Sequence, residues 1–383
     1  MRLLHVISSL NPSGGGPVEG LKQIVAEYKK IFIEVEILCC DHPESVWLDD
    51  DSLPEIHAVG PSVLSYCYCP KMKKWLADNV NRFDAVIVEG IWQYHLRAVY
   101  LSCVKEDVPY FVFVHGMLGP WFKINYKLKH LKKSLYWVTA EYWHLRKASL
   151  LFFTCEEEKK LARNSFFPYG LDGVVTGYGT SLSKNIDGFG SEILRCRFPV
   201  IENKQVILFM GRLHPVKGVD NLIVAFSKLV DNSKMHLFIA GGGQENYVEK
   251  LKSLSRRLGI SQCVTFSGTL SGDEKWAAFR LADVVCIPSH HENFGVVVAE
   301  ALAVGTPVLI SNKVNIWREV ECSGAGFVED DTVEGTEKLL REWLSTSSDR
   351  KNDMRINAHS CFIKNFRIDA VVKSIVNKVN EYK

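Results

Sequence analysis

Short apolar runs alternate with amphipathic stretches along the whole chain. In the first half the runs at 2–10, 34–40, 84–89, 110–115, 150–155 and 174–178 are rich in Val, Ile, Leu and Phe, with little polar alternation. Such runs predict strands buried on both faces of a parallel sheet. The second half repeats the theme at 206–210, 236–240, 264–267, 284–288 and 308–310. Between the strands the spacing becomes helical. Leu222, Ala225, Phe226, Leu229 and Val230 share one face of a helix, and Leu251, Leu254 and Leu258 share a face of the next, which Gly259 ends.

Strand and helix in strict alternation predict a parallel sheet with helices on both faces. Two such series in succession predict an α/β protein of two Rossmann-like, doubly wound domains. The boundaries expected are 1–185 for the N-terminal domain, 186–204 for a linker and 205–365 for the C-terminal domain. A last helix at 366–383, with Ile368, Val371, Val372 and Ile375 on one side, is expected to pack back on the N-terminal domain. In open parallel sheets ligands bind at the carboxyl ends of strands, so two domains facing across a deep cleft would bind there.

The bulk composition changes this picture little. A chain of 383 residues, 47% hydrophobic and 23% charged, can bury two cores. A net charge of +2 argues against a general nucleic-acid binder. The 11 cysteines lack zinc-site spacing and read as buried thiols in a reducing cytoplasm. The first residues form a strand rather than a signal peptide, and no run is long enough to span a bilayer.

The chemistry concentrates after particular strands. Gly211-Arg212-Leu213-His214-Pro215-Val216-Lys217-Gly218 follows the run at 206–210. An arginine fork and a lysine point charge five positions apart can converge on one diphosphate, and the segment reads equally as a solvated basic turn. Ser289-His290-His291-Glu292-Asn293-Phe294-Gly295-Val296 follows the run at 284–288. A helix starting near Phe294 would offer free N–H groups to an anion. Glu300 stands alone among Val, Ala and Leu and needs a partner; a ribose diol and an internal ion pair both qualify. In the N-terminal half, Asn11-Pro12-Ser13-Gly14-Gly15-Gly16-Pro17 is not a dinucleotide fingerprint, so hydride transfer is not indicated. His115-Gly116 ends another strand.

Glu292 and Glu300 are separated by seven residues, enclose Phe294-Gly295 and precede Ala303-Val304-Gly305-Thr306-Pro307-Val308. This pattern resembles the signature of glycosyltransferase family 4, which has the GT-B fold. Gly211 to Gly218 resembles that family's diphosphate loop, and Gly241-Gly242-Gly243 its glycine-rich turn. The resemblance is strong over residues 205–330 and weaker before them. It implies a retaining, metal-independent transfer of a hexose from a nucleotide-sugar, with UDP-glucose or another UDP-hexose as the first expectation. It implies that Arg212 and Lys217 hold the diphosphate and that Glu300 binds the ribose. Glu292, with the backbone of Asn293, Phe294, Gly295 and Val296, would grip the sugar and diphosphate, with Gly243 and Leu270 beside the nucleotide. Gly15 and Gly16 would close near the phosphates, and His115 would contact the transferred sugar. Asn293 departs from the glycine common at that position. No metal or other cofactor is implied. Asp49-Asp50-Asp51, the one superficial match to a metal-binding Asp-x-Asp, reads as a solvated acidic turn.

Two alternatives are a sugar-nucleotide epimerase or hydrolase of the same fold and a degenerate binding subunit. The first lacks acid/base carboxylates around the sugar, and the second should have lost Arg212, Lys217, Glu292 or Glu300. The expected acceptor is a saccharide or lipid-linked saccharide of exopolysaccharide or glycan biosynthesis. Residues 121–147 interleave Lys123, Lys127, Lys129, Lys132, Lys133, Arg146 and Lys147 with Trp121, Phe122, Tyr126, Leu128, Leu131, Leu135, Trp137 and Trp143. That mixture suits peripheral contact with an anionic membrane at its inner face, and it suits a solvated helical hairpin equally.

Overall fold

The structure, a computed structural model, describes residues 1–121, 123, 127–181, 189–229 and 234–382. Phe122, Tyr126 and Val230 lie outside the described residues, as do positions 186–188 of the expected linker. The chain forms two units, Met1–Gly179 with Ile368–Lys383, and Thr180–Arg367.

The first unit is built on seven parallel strands: β1 (Arg2–Ile7), β2 (Glu34–Cys39), β3 (Glu55–Ala58), β4 (Ala85–Glu89), β5 (Tyr110–Phe113), β6 (Leu150–Phe153) and β7 (Gly173–Val175). Their order is β3-β2-β1-β4-β5-β6-β7. The second unit has six: β8 (Gln205–Met210), β9 (Met235–Ala240), β10 (Val264–Gly268), β11 (Val284–Ile287), β12 (Val308–Ser311) and β13 (Gly326–Glu329), in the order β10-β9-β8-β11-β12-β13. Each is a doubly wound sheet, the α/β class the sequence predicts. β4, β5, β6, β11 and β12 are buried along their whole length, which accounts for their unbroken apolar runs.

Most strands are shorter at the carboxyl end than their apolar runs. After β1 the chain leaves the ladder to bond a side chain, the Leu10 amide donating to Asp41 Oδ2 at 2.7 Å. Two edge strands, β3 and β13, were not expected. The positions expected as linker are partly structured, with a helix at Phe189–Arg197 that packs on the helix Gly272–Leu281 and belongs to the second unit. The last helix, Ile368–Asn380, packs on the helix Gly16–Lys30 of the first unit. The eleven cysteines are free thiols, most of them buried. No helix among the described residues is long and apolar enough to cross a membrane.

Candidate active site

In a doubly wound sheet the strand order reverses at one point, and the loops leaving the two strands there diverge to form a crevice. In the second unit that point lies between β8 and β11. The loop after β8 carries Arg212 and Lys217, and the loop after β11 carries Glu292. Gly218 (φ 64°) lets the first loop press on the second, since a Cβ there would overlap the Pro288 carbonyl. His290 N donates to Val216 O at 2.8 Å across the same junction. Lys217 Nζ is consequently hydrogen-bonded to Glu292 Oε2, with both side chains about one-fifth exposed. Arg212, on the same loop as Lys217, is exposed. A lysine and a carboxylate thus meet at the mouth of the sheet, with an arginine on the same loop.

The helix after Glu292 begins at Val296, two residues later than the sequence predicts. Gly295 is its N-cap at φ 79°. The reason lies in Phe294, whose ring is buried edge-on against Phe366 at 5.5 Å, which anchors the turn before the helix can start. Phe294 can therefore offer a ligand only its backbone. The amides of Val296 and Val297 in the first turn have no backbone acceptor among the described residues, and they supply an anion-binding end. His291 lies next to Glu292. Burial pushes its pKa down and the Lys217 charge adds to that, against the opposing effect of Glu292.

Glu300 is almost fully buried and pairs with Lys275 Nζ at 2.5 Å. Of the two partners open to it, the internal ion pair is present. Its carboxylate is therefore held in place by a lysine with a partly exposed side chain, a preorganised acceptor for donors on a ligand. The loops after β9 and β10 border the same end of the sheet: Leu213 N donates to Gly242 O at 2.7 Å, Leu213 bridges Gly243, and Leu270 is buried.

The first unit has its reversal between β1 and β4. The glycine loop follows β1, with Gly15 at φ 70° capping the helix that starts at Gly16. His115 sits in the left-handed region (φ 50°) just past β5, and Trp92 (φ 75°) just past β4. A backbone strained at adjacent strand ends marks a built site rather than a passing loop. Two buried carboxylates hold it. Glu89, the last residue of β4, accepts from His115 Nε2 at 2.6 Å and from His5 Nδ1 at 2.7 Å. Burial alone would raise the Glu89 carboxyl, but these two hydrogen bonds outweigh it and hold the group down at about 2. Glu158 accepts from the Gly116 amide and, at 2.6 Å, from both the amide and the hydroxyl of Thr154. Tyr178 completes the arrangement: its ring meets His115 edge-on at 5.8 Å and its hydroxyl donates to Gly16 O at 2.7 Å.

The structure thus brings Lys217, Glu292 and Gly295 together in one unit, with Arg212 on the same loop as Lys217, and Gly16 and His115 together in the other through Tyr178. Sequence reasoning missed Glu89, Glu158 and Tyr178. A glutamate closing an all-apolar strand was the available signal for Glu89. The acidic turn Asp49 to Asp51 belongs to neither site; Asp50 pairs with Lys22 at 3.0 Å. Glu36, Glu55 and His57 lie within metal-ligand reach of one another, but Arg2 and Arg82 already pair with Glu36.

Residues 192–360 match the family described as glycosyl transferases group 1, and residues 15–171 match the glycosyl transferase 4-like domain. An uncharacterized glycosyltransferase of Methanocaldococcus jannaschii is 31% identical over 280 residues, covering 69% of this chain and 68% of that protein. A D-inositol 3-phosphate glycosyltransferase of Streptomyces bingchenggensis is 26% identical over 363 residues, covering 79% and 71%. Among solved structures, Anabaena HepE in complex with UDP-glucose superposes with a TM-score of 0.78 at 18% identity, covering 100% of both chains.

Proposed function

The chain belongs to the family-4 type of glycosyltransferases with the GT-B fold, and from that premise we propose that it transfers a hexose, with retention, from a UDP-sugar to a saccharide or lipid-linked saccharide. The observation that carries the reading is the Lys217–Glu292 pair and the open helix end at Val296 where the second sheet reverses, with Arg212 exposed on the Lys217 loop. A diphosphate has the charge and size to bridge the two cations and the helix end. Glu300, fixed by Lys275, would take the ribose hydroxyls. The UDP-glucose in the complex of HepE supports a uridine diphosphate sugar as the first donor to test.

In this account the acceptor hydroxyl attacks from the face the diphosphate is leaving, and a departing phosphate oxygen takes its proton. Arg212, Lys217 and the amides of Val296 and Val297 stabilise the charge that grows on the leaving group. Preorganised donors of this kind are worth about 3–4 kcal/mol each when removed. They supply the charge stabilisation a metal ion would otherwise give, so the reaction should proceed in EDTA. Glu292 would orient the transferred sugar through its hydroxyls once Lys217 turns to the phosphate. Glu89, ionised to low pH, holds the His115 ring through Nε2, and in this account the ring contacts the sugar.

The test is product analysis. The protein is incubated with UDP-glucose, other UDP-hexoses and a panel of saccharide and lipid-linked acceptors, with EDTA, and the anomeric proton of the product is read by NMR. An α-linked product from an α-linked donor supports the reading. An inverted product, or turnover restored only by added Mn²⁺, contradicts it.

A further inference from the structure

The helix Lys127–Tyr136 and the π-turn Trp137–Glu141 that continues it are turned inside out relative to an ordinary surface helix. At about 100° per residue, His130, Lys133 and Trp137 share one face. That face is the docked one: His130 stacks on Phe166 at 4.8 Å, Lys133 Nζ sits 4.4 Å over the Trp92 ring, and Trp137 is fully buried. Burial pushes the Lys133 ammonium down to about 8, with the charge of Lys129 adding to it. The opposite face holds Leu128, Leu131, Leu135 and Val138, exposed by 86%, 68%, 67% and 43%. Exposed Lys127 flanks this apolar stripe on one side, and exposed Lys129 and Lys132 flank it on the other. Trp143, also exposed, follows on the next turn.

A helix that turns its leucines outward has a partner for them, because a stripe of this kind on an isolated soluble protein is unfavourable. Charge identifies the partner. Residues 121–147 hold seven of the 46 lysines and arginines but only one of the 44 acids, and that one, Glu141, is buried. The rest of the chain carries more acids than bases. A second copy of this face would oppose lysine to lysine, which disfavours self-association. A leucine stripe rimmed by lysines with a tryptophan near its end matches the interfacial plane of an anionic bilayer, where the apolar face enters the acyl boundary and the lysines meet headgroup phosphates.

We propose that the helix Lys127–Tyr136 is a membrane-docking surface that seats the protein on anionic phospholipid. The surface is tied to the catalytic loops of the same unit: Lys133 lies on Trp92, and the Trp92 indole N–H donates at 3.1 Å to Met117 O, two residues past His115. Docking would therefore hold the His115 loop near the bilayer, which favours an acceptor with a lipid anchor. That last step rests on the transferase reading; the docking does not.

The experiment is flotation of the full chain with vesicles of phosphatidylglycerol and phosphatidylcholine, against phosphatidylcholine alone. Wild type is expected to float with the anionic vesicles and to be released by salt. Leu131→Asp with Leu135→Asp should lower the partition by at least about tenfold, and Lys129→Ala with Lys132→Ala by roughly tenfold or more. All four positions are exposed, so circular dichroism and UDP binding should be unchanged in both variants. Three results would overturn the proposal: wild type that stays in the aqueous phase, leucine variants that float like wild type, or concentration-dependent dimers abolished by the same leucine changes. Retained UDP binding in any of these cases would leave the donor site standing.

Discussion

Glu89→Gln separates a positioning carboxylate from a merely buried one. The side chain is almost inaccessible and accepts from two histidines at 2.6 and 2.7 Å. Its carboxyl lies at about 2 against an ordinary value of 4.5. At about 1.4 kcal/mol per pKa unit, that gap is worth about 3 kcal/mol. Because the folded value is the lower one, this stabilisation is complete above about pH 4.5 and is lost as pH falls toward 2. About 2 kcal/mol of it should be gone by pH 3. Glutamine cannot ionise, and its amide turns an N–H toward a ring N–H. The variant should lose about 3 kcal/mol at pH 7, with stability that falls less steeply toward pH 3 than wild type. Hydrogen exchange of β1, β4 and β5 reads this locally, which matters because two units need not unfold together. Two stability curves that stay parallel from pH 6 to pH 3 would refute the assignment of an ionised Glu89.

Other expectations follow from the same geometry. Lys217→Ala and Arg212→Ala should each lower kcat by about 10²–10³ with unchanged melting temperature; near-normal turnover in steady-state assays would remove the leaving-group role. Gly20→Ala should cost about 1–3 kcal/mol, because a Cβ there would overlap the Tyr178 hydroxyl, and thermal denaturation checks it. Lys275→Met should weaken nucleotide-sugar binding by leaving the buried Glu300 without its cation; calorimetry that gives wild-type affinity would show that the pair does not orient the ribose site.

The central strands were legible because burial on both faces leaves an unbroken apolar signal, as in β4 and β11. Two of the four edge strands, β3 and β13, were not. β3 reads Glu-Ile-His-Ala and β13 reads Gly-Phe-Val-Glu, four residues each with polar positions that an edge tolerates. The helix start at Val296 was misplaced because Phe294 packs on Phe366, some seventy residues away, a contact no local pattern encodes. Motif residues such as Arg212, Lys217 and Glu292 stood out because their spacing is local. Glu89 reaches His5 and His115, and Glu158 reaches Gly116, across 26 to 84 residues of sequence, and only the fold brings those together.

The most direct measurement is calorimetry of UDP-, GDP- and ADP-sugars with wild type and Glu300→Ala, in EDTA. The account predicts that one UDP-sugar binds wild type without metal and that Glu300→Ala loses it while remaining folded. Binding of no nucleotide-sugar to folded wild type, or undiminished binding to the variant, would contradict the account.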